Sequence, residues 1–258
     1  MREFALNLEE QRCGARIPLG GVDEHTERDR AASGLQGWIS LKAAGDMGGS
    51  WQLNNPRRIG YLRSLGIRSD RPVYSCRQVH SQRVAVVTDQ DAETLADLEA
   101  DGLITNRRDA VLAITVADCL PIYLIDREHR AFALLHSGWR GTGIVVQALR
   151  RMEEQYGSRP SRIETSIGPG IGGCCYRVEE ERYREFRDRF GEGSVRKREG
   201  AFFLDLAAAN IGLLRESGVK RIQVCRNCTA CTPQLSSYRR EGAAFAHMLA
   251  CIGELEDD

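Results

Sequence analysis

Two histidines and one cysteine, far apart in the chain, carry the strongest chemical signal in the sequence. His80 follows residues 73–79 (VYSCRQV), Cys119 follows the apolar run VLAITVAD, and His136 ends the run AFALL. The ends of rigid strands are where a scaffold presents functional side chains. Two imidazoles and a thiolate suit zinc, with copper as the alternative, and three protein donors leave a fourth position open. Taken singly, each residue also has an ordinary reading. A histidine at a strand end can be a hydrogen-bonded structural residue, and a buried cysteine behaves as a small hydrophobe. Their separations match no local zinc-binding spacing.

His136 runs into Ser137-Gly138-Trp139-Arg140-Gly141, a small-residue turn before the next helix. Such a helix start offers free N–H groups and the positive end of a dipole to an anion, and Arg140 adds a fixed charge. Taken alone, Arg140 is equally a solvated charge.

The elements that must hold these residues follow from periodicity. Short runs rich in Val, Ile, Leu and aromatics predict strands at 83–88, 102–105, 111–116, 122–125, 131–135, 162–167 and 221–225. The polar turn 126–130 predicts a hairpin. Helical spacing predicts helices over 56–65, 142–156, 178–190 and 204–217, with Gly157 as the C-cap of the second. Residues 243–252 fit a strand or a helix. Hairpins mixed with helical crossovers imply an α+β fold, with no repeat or linker to divide 1–258 into more than a single domain.

At 258 residues the chain can bury a sizeable core. Acidic and basic residues balance at 36 each, so no global field points to nucleic acid or an anionic membrane. No stretch approaches the roughly 18 apolar residues of a bilayer span, and the first residues lack a secretory h-region. The expectation is a cytoplasmic protein whose nine cysteines are thiols, ligands or nucleophiles rather than a disulfide framework.

Five ordered strings sharpen the reading: RQVHSQRV (77–84), ADGLITN (100–106), ITVADCLPIYLID (114–126), LLHSGWRGTG (135–143) and IGPGIGGCCYRV (167–178), with CTAC (228–231) and SYRREG (237–242) further on. Together they resemble the YfiH-like laccase-domain family, whose members are described as purine nucleoside phosphorylases and as polyphenol oxidases. The resemblance implies two mixed β-sheets packed together with flanking helices, and places His80, Cys119 and His136 where that family holds its metal. It further implies a zinc-dependent phosphorylase that cleaves adenosine or inosine, or methylthioadenosine, to free base and ribose 1-phosphate. Adenosine deamination is an implied second activity. The expected partners are purine nucleosides and phosphate, without nucleic acid or membrane, and the expected assembly is a monomer or small homo-oligomer. The expected catalytic set is Cys119, Arg140 and Asp118. Asp118 is either a base or orienting group beside the ligand or a turn residue before Pro121. Rival chemistries are a copper-dependent oxidation of phenols and a metal-free Cys–His hydrolase with Cys119 as nucleophile. The chain departs from the family pattern at its ends, in RIPLGGVDEH around Arg16 and in LSSYRREGAAFAHML.

Four further features read as structural. Cys225, Cys228 and Cys231 could hold an iron–sulfur cluster or a second zinc, but they lack the nearby fourth cysteine of a cluster run and read as structural, and Cys174-Cys175 reads as packing beside the pocket. GPGIGG (168–173) lacks the Lys-Ser/Thr of a phosphate loop and reads as a close backbone approach to the site. Residues 179–189 form a solvated helix face with pairs such as Glu180–Arg184.

Overall fold

A computed structural model describes residues 1–8, 13–19, 34–49, 55–89 and 92–254. Among these, the larger sheet has the order β1 (Arg2–Phe4), β14 (Arg221–Cys225), β10 (Glu164–Ile167), β8 (Leu120–Asp126), β9 (Ala131–Ser137), β6 (Gly102–Thr105) and β5 (Val84–Val86). The second has the order β2 (Gly14–Ile17), β3 (Leu35–Ser40), β15 (Met248–Glu254), β7 (Val111–Val116) and β4 (Val73–Tyr74). Both contain parallel and antiparallel pairs, so the sheets are mixed and the fold is α+β, as expected.

The side-chain period of two decides how the layers stack. On β8, Leu120, Ile122 and Leu124 face a core shared with helices, whereas Tyr123 and Ile125 face the other sheet. On β7, Leu112, Ile114 and Val116 meet them from the opposite side, and Val111 and Ala113 face outward onto α1 (Pro56–Ser64). Strands buried on both faces read as continuous apolar runs, which is why VLAITV and PIYLI stood out.

Helix α3 (Ile144–Tyr156) buries Ile144, Val145, Ala148, Leu149 and Met152 against the larger sheet and stops at Gly157, whose φ of 71° closes the C-cap. The same core receives α4 (Glu180–Phe190) and α5 (Leu206–Glu216). Asp205 caps α5 by accepting from the N–H of Ala208, and Arg184 reaches Glu180 at 2.6 Å on the exposed face of α4.

Three expectations change. Residues 73–79 form a strand only at Val73–Tyr74; beyond it Arg77 keeps an isolated parallel bridge to Glu99, and the N–H of Val79 turns to the Asp101 side chain. Residues 243–252 resolve into strand, at Met248–Glu254. A third sheet, β11 (Arg177–Val178), β13 (Ala201–Leu204) and β12 (Val195–Arg198), joins the two expected ones. Its hairpin turns at Glu199 and Gly200, both with positive φ, a geometry suited to a tight two-residue turn. Gly20, Gly21, Val22 and His25 lie outside the described residues. Arg16 stands exposed on β2.

Candidate metal centre and its cavity

One end of the stacked sheets gathers the three sequence-predicted donors. The ligand atoms of His80, Cys119 and His136 all lie within 4.8 Å of one another. His136 comes from the end of β9, Cys119 from the tight turn between β7 and β8, and His80 from the loop after β4. The imidazoles of His80 and His136 meet nearly edge-on, their ring centres 4.9 Å apart. Gly138 makes this packing possible: a Cβ there would stand 2.7 Å from the Cys119 sulfur.

A fourth residue, Asp101, holds two of the three donors in place. It is fully buried and accepts hydrogen bonds from the backbone N–H groups of Val79, His80 and Ser81, and from the Ser81 hydroxyl. These bonds pin the turn at 79–81 and hold His80 at a φ of 59°, in the left-handed region. The other contact is His136 Nδ1, 2.8 Å from Asp101 Oδ1. A proton on Nδ1 leaves Nε2 as the donor toward the site, the arrangement in which a carboxylate orients a ligand histidine. Gln78 completes the support by pairing its amide with the backbone of Thr115 on β7, at 2.8 Å in each direction.

The electrostatics follow from this packing. Burial pushes the Cys119 thiol up, but the His136 imidazolium and hydrogen bonds from both histidines outweigh it and bring the thiol down to about 6. Burial also lowers His136, yet the Cys119 thiolate and Asp101 overcome this and raise it to about 10. Burial raises Asp101, and its bonds to His136 and Ser81 more than reverse that, holding its carboxyl below the usual range. Both shifts favour a thiolate–imidazolium pair when no cation is bound. With one, the centre offers the soft sulfur and two nitrogens that suit a divalent transition metal.

Asp118 neighbours Cys119 and is buried, with a φ of 75°. One carboxylate oxygen accepts from the Thr229 hydroxyl at 2.6 Å and the other from the backbone N–H of Arg239 at 2.7 Å. Its carbonyl accepts from the N–H of Ile171, in the glycine-rich 168–173 turn. Asp118 thus ties three loops to the ligand-bearing turn.

The centre opens into a cavity of about 560 Å³. Arg140, Arg182 and Arg239 line it, together with Trp139, Tyr176, Tyr238 and Phe245. Arg182 and Arg140 lie over the ring of Trp139, at 4.4 and 5.2 Å from its centre, and Arg239 lies over Tyr176 at 5.2 Å. Asp118 is the acidic residue of the described lining, and both its oxygens are engaged. The cavity therefore favours an anion beside a flat, apolar group.

Sequence reasoning assembled the three donors and Arg140 but missed Asp101, Arg182, Arg239 and Tyr176. Asp101 stood inside the string ADGLITN without a role. The arginines looked like solvated charges because nothing local links Arg182 on a charged helix to Trp139. Cys225 stays apart, its thiol 3.5 Å from Asn227 Oδ1. Cys228 and Cys231 instead gather with Cys174 and Cys175 in a second group.

A sequence profile described as multi-copper polyphenol oxidoreductase laccase matches residues 52–254. A purine nucleoside phosphorylase of Aquifex aeolicus is 33% identical over 197 residues, covering 75% of this chain and 89% of that one. A protein named adenosine deaminase RL5, from an unknown prokaryotic organism, is 31% identical over 187 residues, 67% of this chain and 71% of that one. The crystal structure of the Bacillus licheniformis hypothetical protein YfiH superimposes with a TM-score of 0.80 at 26% identity, over 96% of this chain and 98% of that one. The chain belongs to the multi-copper polyphenol oxidoreductase laccase family, the laccase-like YfiH group in which curated relatives are named purine nucleoside phosphorylases.

Proposed function

We propose that the protein is a zinc-dependent purine nucleoside phosphorylase. The observation that carries this reading is the shared cavity: a Cys/His donor set and three guanidinium groups face the same space, with aromatic rings beside them. His80, Cys119 and His136 would hold the ion, which supplies a Lewis-acid centre at the cavity floor. The remaining chemistry belongs to the chain's own residues. Arg140, Arg182 and Arg239 bind and orient phosphate, whose charge they match. Trp139, Tyr176 and Phe245 offer faces on which a purine can stack. Phosphorolysis forms a bond between a phosphate oxygen and C1′ of the ribose. The bonding pair of the broken C1′–N9 bond leaves with the base, which then takes up a proton. Asp118 acts as a positioning residue: by holding the Arg239 backbone and Thr229 it fixes the wall against which the nucleoside rests.

Adenosine deamination is the second reading, supported by the open fourth position of the donor set and by the relative named for that activity. Multi-copper phenol oxidation has less support. Among the described residues His129 lies beside Asp126, and His247 beside Asp46 in the cavity wall, so neither extends the donor set into a second copper site. Metal-loaded protein incubated with adenosine or inosine tests the proposal. Free base and ribose 1-phosphate should form only when phosphate is supplied. Free ribose at the same rate without phosphate would contradict it, and inosine plus ammonia from adenosine would identify the deaminase activity.

A further inference from the structure

Behind the cavity wall, four thiols from two distant turns converge. Cys174 and Cys175 end the 168–175 turn, and Cys228 and Cys231 span the turn after β14. Their sulfurs all lie within 4.8 Å of one another, with Cys175 to Cys231 at 3.3 Å and Cys174 to Cys231 at 3.8 Å. A tetrahedral zinc tetrathiolate with bonds of about 2.3 Å has sulfur–sulfur edges of about 3.8 Å. We propose that Cys174, Cys175, Cys228 and Cys231 form a second, closed metal site that binds one zinc ion as a structural clamp.

Two surrounding features fit that role better than packing alone, the role expected from sequence. The first is the backbone around Cys228. Its sulfur accepts from the N–H of Gly172 at 3.2 Å, and the N–H groups of Ala230 and Cys231 also reach it. A coordinated thiolate is stabilised by such N–H···S bonds, which also orient it. The second is charge. A dication with four thiolates is a dianionic centre, and three arginines bind the carbonyls of its own loops. Arg198 reaches Cys174 O at 3.1 Å, Arg239 reaches Arg177 O at 2.7 Å, and Arg240 holds Thr229 O and Thr232 O at 2.6 and 3.1 Å.

Four thiolates complete a zinc shell, so the site has no open position and its role is mechanical. The two turns also meet as a backbone bridge between Gly170 and Cys228, and Thr229 N–H binds Gly170 O at 3.0 Å. Ile171 and Tyr176 of the first turn line the cavity, and Thr229 of the second holds Asp118. An ion at the four thiols locks this wall without contacting substrate. The inference is independent of the phosphorylase proposal, because it concerns metal content rather than turnover.

The test uses protein prepared under reducing, anaerobic conditions with one site removed at a time. Wild type should carry about two zinc ions per chain, Cys119→Ala about one, and the double variant Cys228→Ser/Cys231→Ser about one. If the double variant fails to fold, cobalt titration of Cys119→Ala, whose fold is checked by circular dichroism, decides. One equivalent should give the intense visible and thiolate charge-transfer bands of a tetrahedral tetrathiolate. Cys119→Ala that binds neither zinc nor cobalt overturns the proposal. So does stoichiometric iron and sulfide in place of zinc, or a Cys175–Cys231 disulfide that forms in air from freely titrating thiols.

Discussion

Among the described residues, soft ligands gather in two places, and the roles proposed for the two differ. The His80–Cys119–His136 centre draws on three separate segments, uses mixed nitrogen and sulfur donors, and faces a cavity lined by arginines and aromatic rings. The four-cysteine group draws on two turns, uses sulfur alone, and sits behind the cavity wall. Three donors beside a cavity leave room for a reacting atom, whereas four donors in two turns leave none. The support differs in kind as well. A buried carboxylate, Asp101, orients the open centre, while backbone N–H groups and arginines on carbonyls surround the closed one. On the roles proposed for them, ligand count and the surrounding hydrogen bonds, more than ligand identity, separate the catalytic site from the clamp.

The largest expected effect comes from removing a donor of the open centre. Cys119→Ala or His80→Ala should strip the metal from that centre and reduce nucleoside turnover to background. Circular dichroism should stay close to wild type, because the apolar cores lie between the sheets and under α3. Full metal occupancy in both variants, measured by elemental analysis, would erase the distinction between the two regions.

Asp101→Asn should be next in size. It removes the charge that orients His136 and receives three backbone N–H groups, and should weaken metal affinity at the open centre by about 10- to 100-fold. The four-cysteine group should keep its affinity, so competitive chelation resolves two classes of ion. Equal weakening of both classes would mean that Asp101 acts on the fold as a whole.

Arg140→Ala probes the cavity instead of the ligands. A charge-assisted contact to phosphate is worth about 1.5–3 kcal/mol when buried. Arg140 is exposed and shares the Trp139 ring with Arg182, so the expected rise in KM for phosphate is at the lower end, about tenfold. Arg140→Lys should recover part of it, keeping the charge and losing the planar fork. An unchanged KM would remove Arg140 from the phosphate site.

The pH dependence sharpens the comparison most gently. With the Cys119 thiol near 6 and His136 near 10, the metal-free pair between these values is thiolate and imidazolium. Binding a dication must then expel the His136 proton. Zinc affinity of the open centre should rise about tenfold for each unit from about pH 7 to pH 9, with one proton released per ion. Calorimetry in buffers of different ionisation enthalpy reads that proton directly. Release of none would place the proton elsewhere.

How legible each part was depends on how local its causes are. Strands β7, β8 and β9 were readable because burial on both faces makes them continuous apolar runs. The C-cap at Gly157 and the Glu180–Arg184 pair were readable because each is decided within a few residues. The β12–β13 hairpin was missed because VRKR is charged and exposed beyond Val195, so no alternation marks it. Residues 73–79 looked like a strand, but pairing beyond Tyr74 shrinks to one bridge at Arg77, and Asp101, more than twenty positions away, takes the N–H of Val79. The same distance hid Asp101 itself and the meeting of Cys174-Cys175 with Cys228 and Cys231. Donor types can be read along a chain, but the residues that aim them belong to the tertiary structure.

One measurement bears most directly on the claim that the open centre serves phosphorolysis through a bound ion. Protein stripped of metal at that centre is titrated with zinc while ribose 1-phosphate formation from inosine is followed at saturating phosphate. The rate should rise from background and saturate at one ion per open centre, and Cys119→Ala should stay at background throughout. The metal-free thiolate–imidazolium pair has the charge state of a Cys–His nucleophile. Full activity before any zinc is added, abolished by Cys119→Ala, would therefore assign the chemistry to that pair and contradict the metal-dependent account.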